Sequence, residues 1–156
     1  MTFYAWTMLV ESVRLRLLLV APLRLALSLV WLAAASAAGA SGRTALLAFG
    51  AGTFGMAFLV SNDPRSHFRQ VSDEPAELPS EASVAPAWVH AFHAALPSTV
   101  GVSILAAITL AFQPTLSALL AGLLAGMSLV AGLTAYRIDA RLYVDPRRGE
   151  IFRKVT

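Results

Sequence analysis

The chain has 156 residues, of which 57% are hydrophobic and only 13% are charged, and its 12 basic and 9 acidic side chains give a net charge of +3. A soluble domain carries about 25% charged residues, so this composition excludes an ordinary water-soluble globule. Cysteine is absent, which excludes disulfides and thiolate metal sites. Between Leu25 and Asp63 the only charged side chain is Arg43, and none lies between His93 and Arg137. Such runs predict membrane-spanning helices, which need about 20 apolar residues.

Residues 1–21 are predicted to form an interfacial amphipathic helix. Apolar side chains such as Phe3 and Trp6 recur at helical spacing, and polar ones such as Glu11 occupy the other face. The segment superficially resembles a cleaved signal peptide. Its basic residues lie far from the first residue, however, and Arg24 interrupts the apolar run, so we interpret it as part of the mature protein.

Two tight transmembrane hairpins are predicted, over residues 22–61 and 97–136. Pro22 either begins the first span or kinks a continuous helix, and Arg24, near the start of that span, is expected to snorkel to the headgroups. A tight turn at residues 40–43 leads into the second span, which ends before Pro64. The third and fourth spans cover about residues 98–112 and 116–136. The expected fold is therefore an all-α polytopic membrane protein with four transmembrane helices.

The segments outside the spans are predicted to lie at the membrane surface. The loop 62–96 holds seven acidic or basic residues and four prolines, so its middle, residues 72–84, should be extended or disordered, and its end should be a surface helix. In the tail 137–156, Asp145 and Gly149 suit a turn between β-prone stretches. A short β-hairpin is therefore expected there.

The distribution of basic residues predicts the orientation. With the first residue inside, ten of the twelve basic side chains lie in inside segments, Arg24 lies close to the same face, and only Arg43 is outside. Short loops rich in Arg and Lys stay in the cytoplasm. We therefore expect both termini on the cytoplasmic side of a bacterial inner membrane. The basic residues expected to contact anionic lipid are Arg14, Arg16, Arg137, Arg141, Arg147 and Arg148.

A glycine-rich stretch needs two interpretations. Gly50, Gly52 and Gly55 match the spacing of a dinucleotide-binding turn, but only residues 53–61 remain for the crossover helix that this motif requires. Small residues that let membrane helices approach closely explain the pattern better. The candidate helix-packing residues are Gly52, Gly55, Gly122, Gly126 and Gly132. Packing within one chain and packing between chains both remain open.

Three histidines could suggest a metal site. His90 and His93 lie three residues apart on the expected surface helix, and a third ligand would have to come from His67 or from Asp63. Interfacial histidines beside aromatic side chains explain the pattern better, so no metal, no cofactor and no catalytic residue is expected. The acids Asp73, Glu74, Glu77 and Glu81 are interpreted as a solvated loop. All nine acidic residues fall outside the four spans, which argues against embedded proton or ion chemistry.

A third function, an enzyme that uses His67, His90 and His93 with a metal, ranks below two others that are consistent with this sequence. The first is a non-catalytic membrane subunit that packs against a larger membrane protein, with the bilayer and that protein, or a second copy, as partners and no nucleic acid. The second is a small homo-oligomeric channel or transporter for an ion or small polar solute. Its pore, between chains, would be lined by hydroxyl side chains such as Ser28, Ser36, Thr53, Ser103, Thr109 and Ser128.

Overall fold

A computed structural model describes residues 9–64, 75–86, 88–89, 92 and 96–155. The helices are α1 (Val13–Ala37), α2 (Gly42–Asn62), α3 (Gly101–Phe112), which follows a π-helical turn at Leu96–Val100, and α4 (Pro114–Arg137). The strands are β1 (Leu9–Ser12), β2 (Ala76–Glu77), β3 (Ser83–Val84), β4 (Leu142–Val144) and β5 (Ile151–Arg153).

Three helices, α1, α2 and α4, are long and apolar enough to cross a membrane. Their lengths of 25, 21 and 24 residues exceed the roughly 20 residues that a bilayer requires. The apolar helix that covers Pro97–Phe112 is shorter. The apolar character of these helices indicates a membrane location, and of the four predicted spans three meet the length requirement.

Helix α1 begins earlier than the sequence suggested. The Ser12 hydroxyl accepts a hydrogen bond from the Leu15 amide at 3.4 Å and caps the helix, which then continues through Pro22 to Ala37. In the described part of segment 1–21, the predicted amphipathic helix is therefore replaced by β1 and by the first turns of α1. The reason is tertiary, because β1 pairs with two strands that lie far away in the chain.

The turns between adjacent helices follow the local sequence. Gly39, with a φ of +103°, ends the turn after α1, and the Ser41 hydroxyl accepts a hydrogen bond from the Thr44 amide to cap α2. Gln113 alone separates α3 from α4, and Pro114 occupies the first position of α4, where its missing N–H costs nothing.

Helix α4 is the central helix of the bundle. It packs against α1, α2 and α3, whereas α1 and α2 contact each other much less. The described structure thus has the short connection predicted between α1 and α2, but these two helices pack mainly on α4 rather than on each other. The small side chains of α4 explain this, since they let all three neighbours approach. Its fully buried residues include Ser117, Ala118, Ala121 and Leu124.

A five-stranded sheet gathers segments from the whole chain at one end of the bundle, here called the sheet end. The strand order is β2-β5-β4-β1-β3. Strands β4 and β5 pair antiparallel around a turn in which Gly149 has a φ of +72°, as the hairpin prediction required. Strands β2 and β3 come from one loop yet occupy opposite edges of the sheet. The described part of the loop is therefore extended and paired, rather than disordered.

The sheet rests on the helices through an apolar cluster. Leu142 and Val144 of β4 pack with Val13 of α1 and Ile138, just after α4, and all four are buried. The chain leaves the sheet end in α1 and returns to it in α4. Helix α2 runs parallel to α4, because Phe49 lies against Gly122 and Thr53 against Gly126. It therefore also runs toward the sheet end.

Candidate functional site

An arginine lies inside the longest apolar helix. Arg24 is the twelfth residue of α1, which places it about 16 Å along the helix axis from Val13. Its Nε donates a hydrogen bond to Thr99 Oγ1, and its Nη2 donates one to Ser98 Oγ, each at 2.9 Å. The guanidinium therefore bridges α1 to the segment that leads into α3. An ionisable side chain within a membrane span is costly and usually marks a functional position.

The expectation that Arg24 snorkels to the headgroups stays a prediction, and the structure adds that this side chain has hydrogen-bond partners within the chain. The first span was predicted to begin at Pro22, with Arg24 near its edge. In the structure α1 extends nine residues further toward the sheet end, from Val13. Arg24 donates to two hydroxyl groups, which satisfy N–H donors of a partly buried guanidinium.

The two hydroxyl groups belong to an irregular part of the backbone. Residues Leu96–Val100 form a π-helical turn that contains Pro97 and joins directly onto α3. Single π turns are rare and occur frequently at functional sites. Thr99 is only 2% exposed, so its hydroxyl lies inside the protein rather than at its surface. Nothing in the sequence analysis had singled out Ser98 and Thr99, because a π turn has no simple sequence signature.

A second irregularity lies beside the same arginine. Pro22 cannot donate a backbone hydrogen bond, which interrupts the regular pattern of α1 two residues before Arg24. At this level Ser128 of α4 donates its hydroxyl proton to the Ala21 carbonyl oxygen at 2.6 Å. A polar contact between α1 and α4 therefore lies three residues before Arg24 in the same helix.

The sheet end carries a second charged contact. Arg16 Nη1 lies 3.4 Å from Glu11 Oε2, and the Glu11 side chain is fully buried. The sequence had placed Glu11 on the polar face of a surface helix, whereas β1 carries it into the junction between the sheet and the bundle. The positive charge of Arg16 is therefore paired within the chain.

This arrangement favours the binding of an anion over proton transfer. Arginine stays protonated in proteins, so Arg24 is unsuited to act as a general acid or base. Its planar fork of N–H donors matches the oxygens of phosphate and carboxylate groups. Serine and threonine hydroxyls can donate to the same oxygens.

Three of the five predicted packing glycines meet at the crossing of α2 and α4, here called the α2–α4 seam: Gly52, Gly122 and Gly126. A Cβ added at Gly122 would overlap the Phe49 carbonyl oxygen, and one added at Gly52 would overlap the Leu119 carbonyl oxygen. At Gly126 an added Cβ would lie 2.5 Å from the Thr53 carbonyl oxygen. Only glycine permits backbones to approach this closely.

The other two predicted glycines lie elsewhere. An added Cβ at Gly55 or at Gly132 would meet nothing within 4 Å, so neither contributes to a close contact within the described chain. Gly55 lies three positions after Gly52, an offset of about 60° around the helix, and that offset is enough to leave it without a close neighbour. Gly132 lies beyond the seam, on the half of α4 nearer the sheet.

The arginines predicted to contact lipid fall into two groups. Arg14 and Arg16 are partly buried on the first turns of α1, where Arg16 pairs with Glu11. The remaining four, at the end of α4 and in the hairpin turn, are exposed: Arg137, Arg141, Arg147 and Arg148. The hairpin turn itself is fixed by Asp145, whose Oδ1 accepts a hydrogen bond from the Arg147 amide at 2.8 Å.

The histidine prediction lies outside the described residues. His67, His90 and His93 all fall in segments for which no structure is described, as do Asp73 and Glu74. Among the described residues, no group of three or more His, Asp or Glu side chains is arranged to hold a metal ion.

Comparison with known proteins yields no relative. No protein-family model, no curated protein and no solved structure matches this chain. Its function is therefore inferred from its own residues.

Proposed function

We propose that this chain is a non-catalytic integral membrane subunit that packs against a larger membrane protein. The observation that carries the proposal is the outward face of α2. Phe54 is 76% exposed and Phe58 is 69% exposed, and Leu46, Leu47 and Leu59 accompany them. Large apolar side chains turned away from the chain's own core suit either lipid or a partner helix.

Two glycines support a partner at such a face. Gly55 lies between Phe54 and Phe58 on α2, and Gly132 lies beside the exposed Leu133 on α4. Neither has a close neighbour within the described chain, although small residues in membrane helices commonly mark close helix contacts. A partner helix could approach the α2 backbone at Gly55 between the two phenylalanines.

The proposal includes four membrane crossings. One sheet combines strands from three places in the chain. One strand precedes α1, two lie between α2 and α3, and two follow α4. A single sheet can lie on only one side of a bilayer, so the chain must cross an even number of times between these strands. The short α3 would then be the third crossing, with help from the turn before it or from local thinning of the bilayer.

The orientation belongs to the same proposal. The sheet end carries the exposed basic side chains of the tail, Arg141, Arg147, Arg148 and Arg153 among them, whereas Arg43 follows the turn at the other end. Basic residues collect on the cytoplasmic side of short-looped membrane proteins. We therefore place the sheet and both termini in the cytoplasm, with the bundle in a bacterial inner membrane.

Purification in mild detergent tests the subunit proposal directly. The chain should be recovered with a partner protein in fixed stoichiometry. Gly55→Leu, which fills the open face of α2, should weaken that association while leaving the chain folded. Gly50→Leu is the matched control, since Gly50 is on the same helix, also has open space around it and points in another direction. Recovery of the wild-type chain as a lone monomer would contradict the proposal.

Arg24 favours a second candidate function, a homo-oligomeric channel or transporter. A fixed positive charge beside hydroxyl groups would select anions or small polar solutes with anionic groups. Several of the hydroxyls expected to line a pore between chains lie inside one chain instead: Ser28 donates to Leu25, Thr53 to Phe49 and Ser128 to Ala21. A transport path would therefore run close to Arg24. Flux of anions into vesicles, abolished by Arg24→Gln, would establish this function.

A further inference from the structure

Three buried polar atoms lie further from the sheet than Arg24 and have no hydrogen-bond partner among the described residues. They are Nε1 of Trp31 in α1, the hydroxyl oxygen of Ser103 in α3 and the hydroxyl oxygen of Ser117 in α4. An unpaired buried polar group is costly, and nearly all such groups in proteins have a partner. One unpaired group on each of three adjacent helices therefore points to a partner from outside the chain.

Each of the three groups lies on the buried face of its helix. Trp31 is four residues before Ala35 and Ser103 is three residues before Ala106, and both alanines are fully buried. Residues three or four apart share one face of a helix. Ser117 is itself fully buried, and α4 contacts both α1 and α3. The three groups thus belong to the faces that these helices turn toward one another.

The groups also follow one another along the bundle. One packed cluster contains a residue of each helix and marks a common level: Ala35, Leu110 and Ala118. Ser117 adjoins that level, whereas Trp31 and Ser103 lie about 6 Å and about 10 Å nearer the sheet, at 1.5 Å per residue. Successive groups are therefore roughly 5–7 Å apart along the axis. One oxygen atom bridges nearly that distance with two hydrogen bonds of about 2.8 Å each.

We propose that Trp31, Ser103 and Ser117 form a binding site for a small neutral hydroxylated ligand, either water or a short polyol. An indole N–H only donates, whereas a serine hydroxyl both donates and accepts, so hydroxyl oxygens suit all three groups. No charged residue lies on α1 beyond Arg24, on α3, or on α4 before Arg137. A charged ligand would have no opposite charge there, which favours a neutral one. The proposal is independent of the subunit proposal, because every group belongs to the interior of one chain.

Helix α3 is the element whose movement can admit the ligand. The three polar atoms are shielded from solvent in the described arrangement. Helix α3 has only 12 residues and contacts α1 much less than α4 does. A small displacement of α3 would therefore open the site while α4 stays packed on α1 and α2.

The direction of one substitution's effect tests the proposal. The full chain in detergent is melted as the wild type and as Ser117→Ala, in buffer alone and with added glycerol. If a ligand pairs the Ser117 hydroxyl, the variant should melt about 2–4 °C below the wild type in the same medium. If nothing pairs it, the variant should melt higher, because an unpaired buried group has been removed. Lower melting in both media identifies water as the ligand, and lower melting in glycerol alone identifies a polyol.

A control and a second variant make the result decisive. Ser36→Ala is the control, because the exposed Ser36 hydroxyl donates to Leu32 in its own helix, and the change brings the same gain in helix propensity. Its melting relative to the wild type should not depend on glycerol. Ser103→Ala repeats the test on α3 and decides the question if Ser117→Ala does not fold. The proposal is overturned if neither Ser117→Ala nor Ser103→Ala melts below the control in either medium.

Discussion

Ser128 of α4 donates its hydroxyl proton to the carbonyl oxygen of Ala21 in α1, with 2.6 Å between the two oxygen atoms. The acceptor immediately precedes Pro22, and Arg24 lies three residues further along the same helix. Residues 107 positions apart in the chain are thereby joined at the level where α1 is least regular. The central helix thus fixes the part of α1 from which Arg24 reaches α3.

Replacing Ser128 with alanine should destabilise the bundle modestly. Hydrogen bonds between membrane helices contribute about 0.6 kcal/mol on average and about 1.7 kcal/mol at most. Reversible unfolding of Ser128→Ala in detergent and lipid mixtures measures the loss. Ser36→Ala is the control, because the exposed Ser36 hydroxyl donates only to Leu32 in its own helix. Equal losses in the two variants would show that the bond between helices contributes nothing specific.

A methyl group at the α2–α4 seam should be far more damaging than one elsewhere on α4. Gly122→Ala would force the Phe49 carbonyl away from its position, and overpacking of this kind costs about 1–3 kcal/mol. Gly132→Ala meets open space and should be neutral or slightly stabilising, since alanine favours helix over glycine. Thermal unfolding of both variants compares them. The seam would be refuted if Gly122→Ala melted at the wild-type temperature.

Single cysteines should report the orientation, since the natural chain has none. Ser41→Cys lies in the turn between α1 and α2, and Ser80→Cys lies between the two loop strands, and both positions are exposed. In intact cells a membrane-impermeant thiol reagent should label residue 41 alone, with residue 80 reacting only after permeabilisation. Labelling of residue 80 from outside would reverse the proposed orientation.

Paired cysteines should test the sheet. Leu9 of β1 and Ser83 of β3 are partners in a parallel pair, and both are exposed. Paired positions on neighbouring strands bring Cβ atoms to about 5 Å, within reach of a short thiol cross-linker. Leu9→Cys with Ser83→Cys should therefore cross-link efficiently. Leu9→Cys with Ser80→Cys, which is not a strand pair, is the control, and similar yields from both would contradict the pairing.

Much of the helical framework could be predicted from the sequence. Apolar runs predicted four spans, and three of the resulting helices, α1, α2 and α4, are long and apolar enough to cross a membrane, where a lipid-exposed charge is costly. Pro114 and Gly39 set a helix start and a turn through their own backbone preferences, and the turn around Asp145 and Gly149 gave the β4–β5 pair. These features depend on residues that are close in the sequence. Local composition therefore determines them.

The fold of the first residues and the position of Arg24 were decided only by the tertiary structure. Leu9–Ser12 is a strand because β3 and β4, from distant segments, supply its hydrogen-bond partners, and that pairing moved the start of α1 to Val13. With this earlier start Arg24 lies near the middle of α1, where it donates hydrogen bonds to Ser98 and Thr99. Among the five candidate glycines, packing on α4 selected Gly52, Gly122 and Gly126. The spacing of small residues predicts which of them share a face of one helix, but it does not predict which other helix packs on that face. That helix is determined only when all the helices pack together.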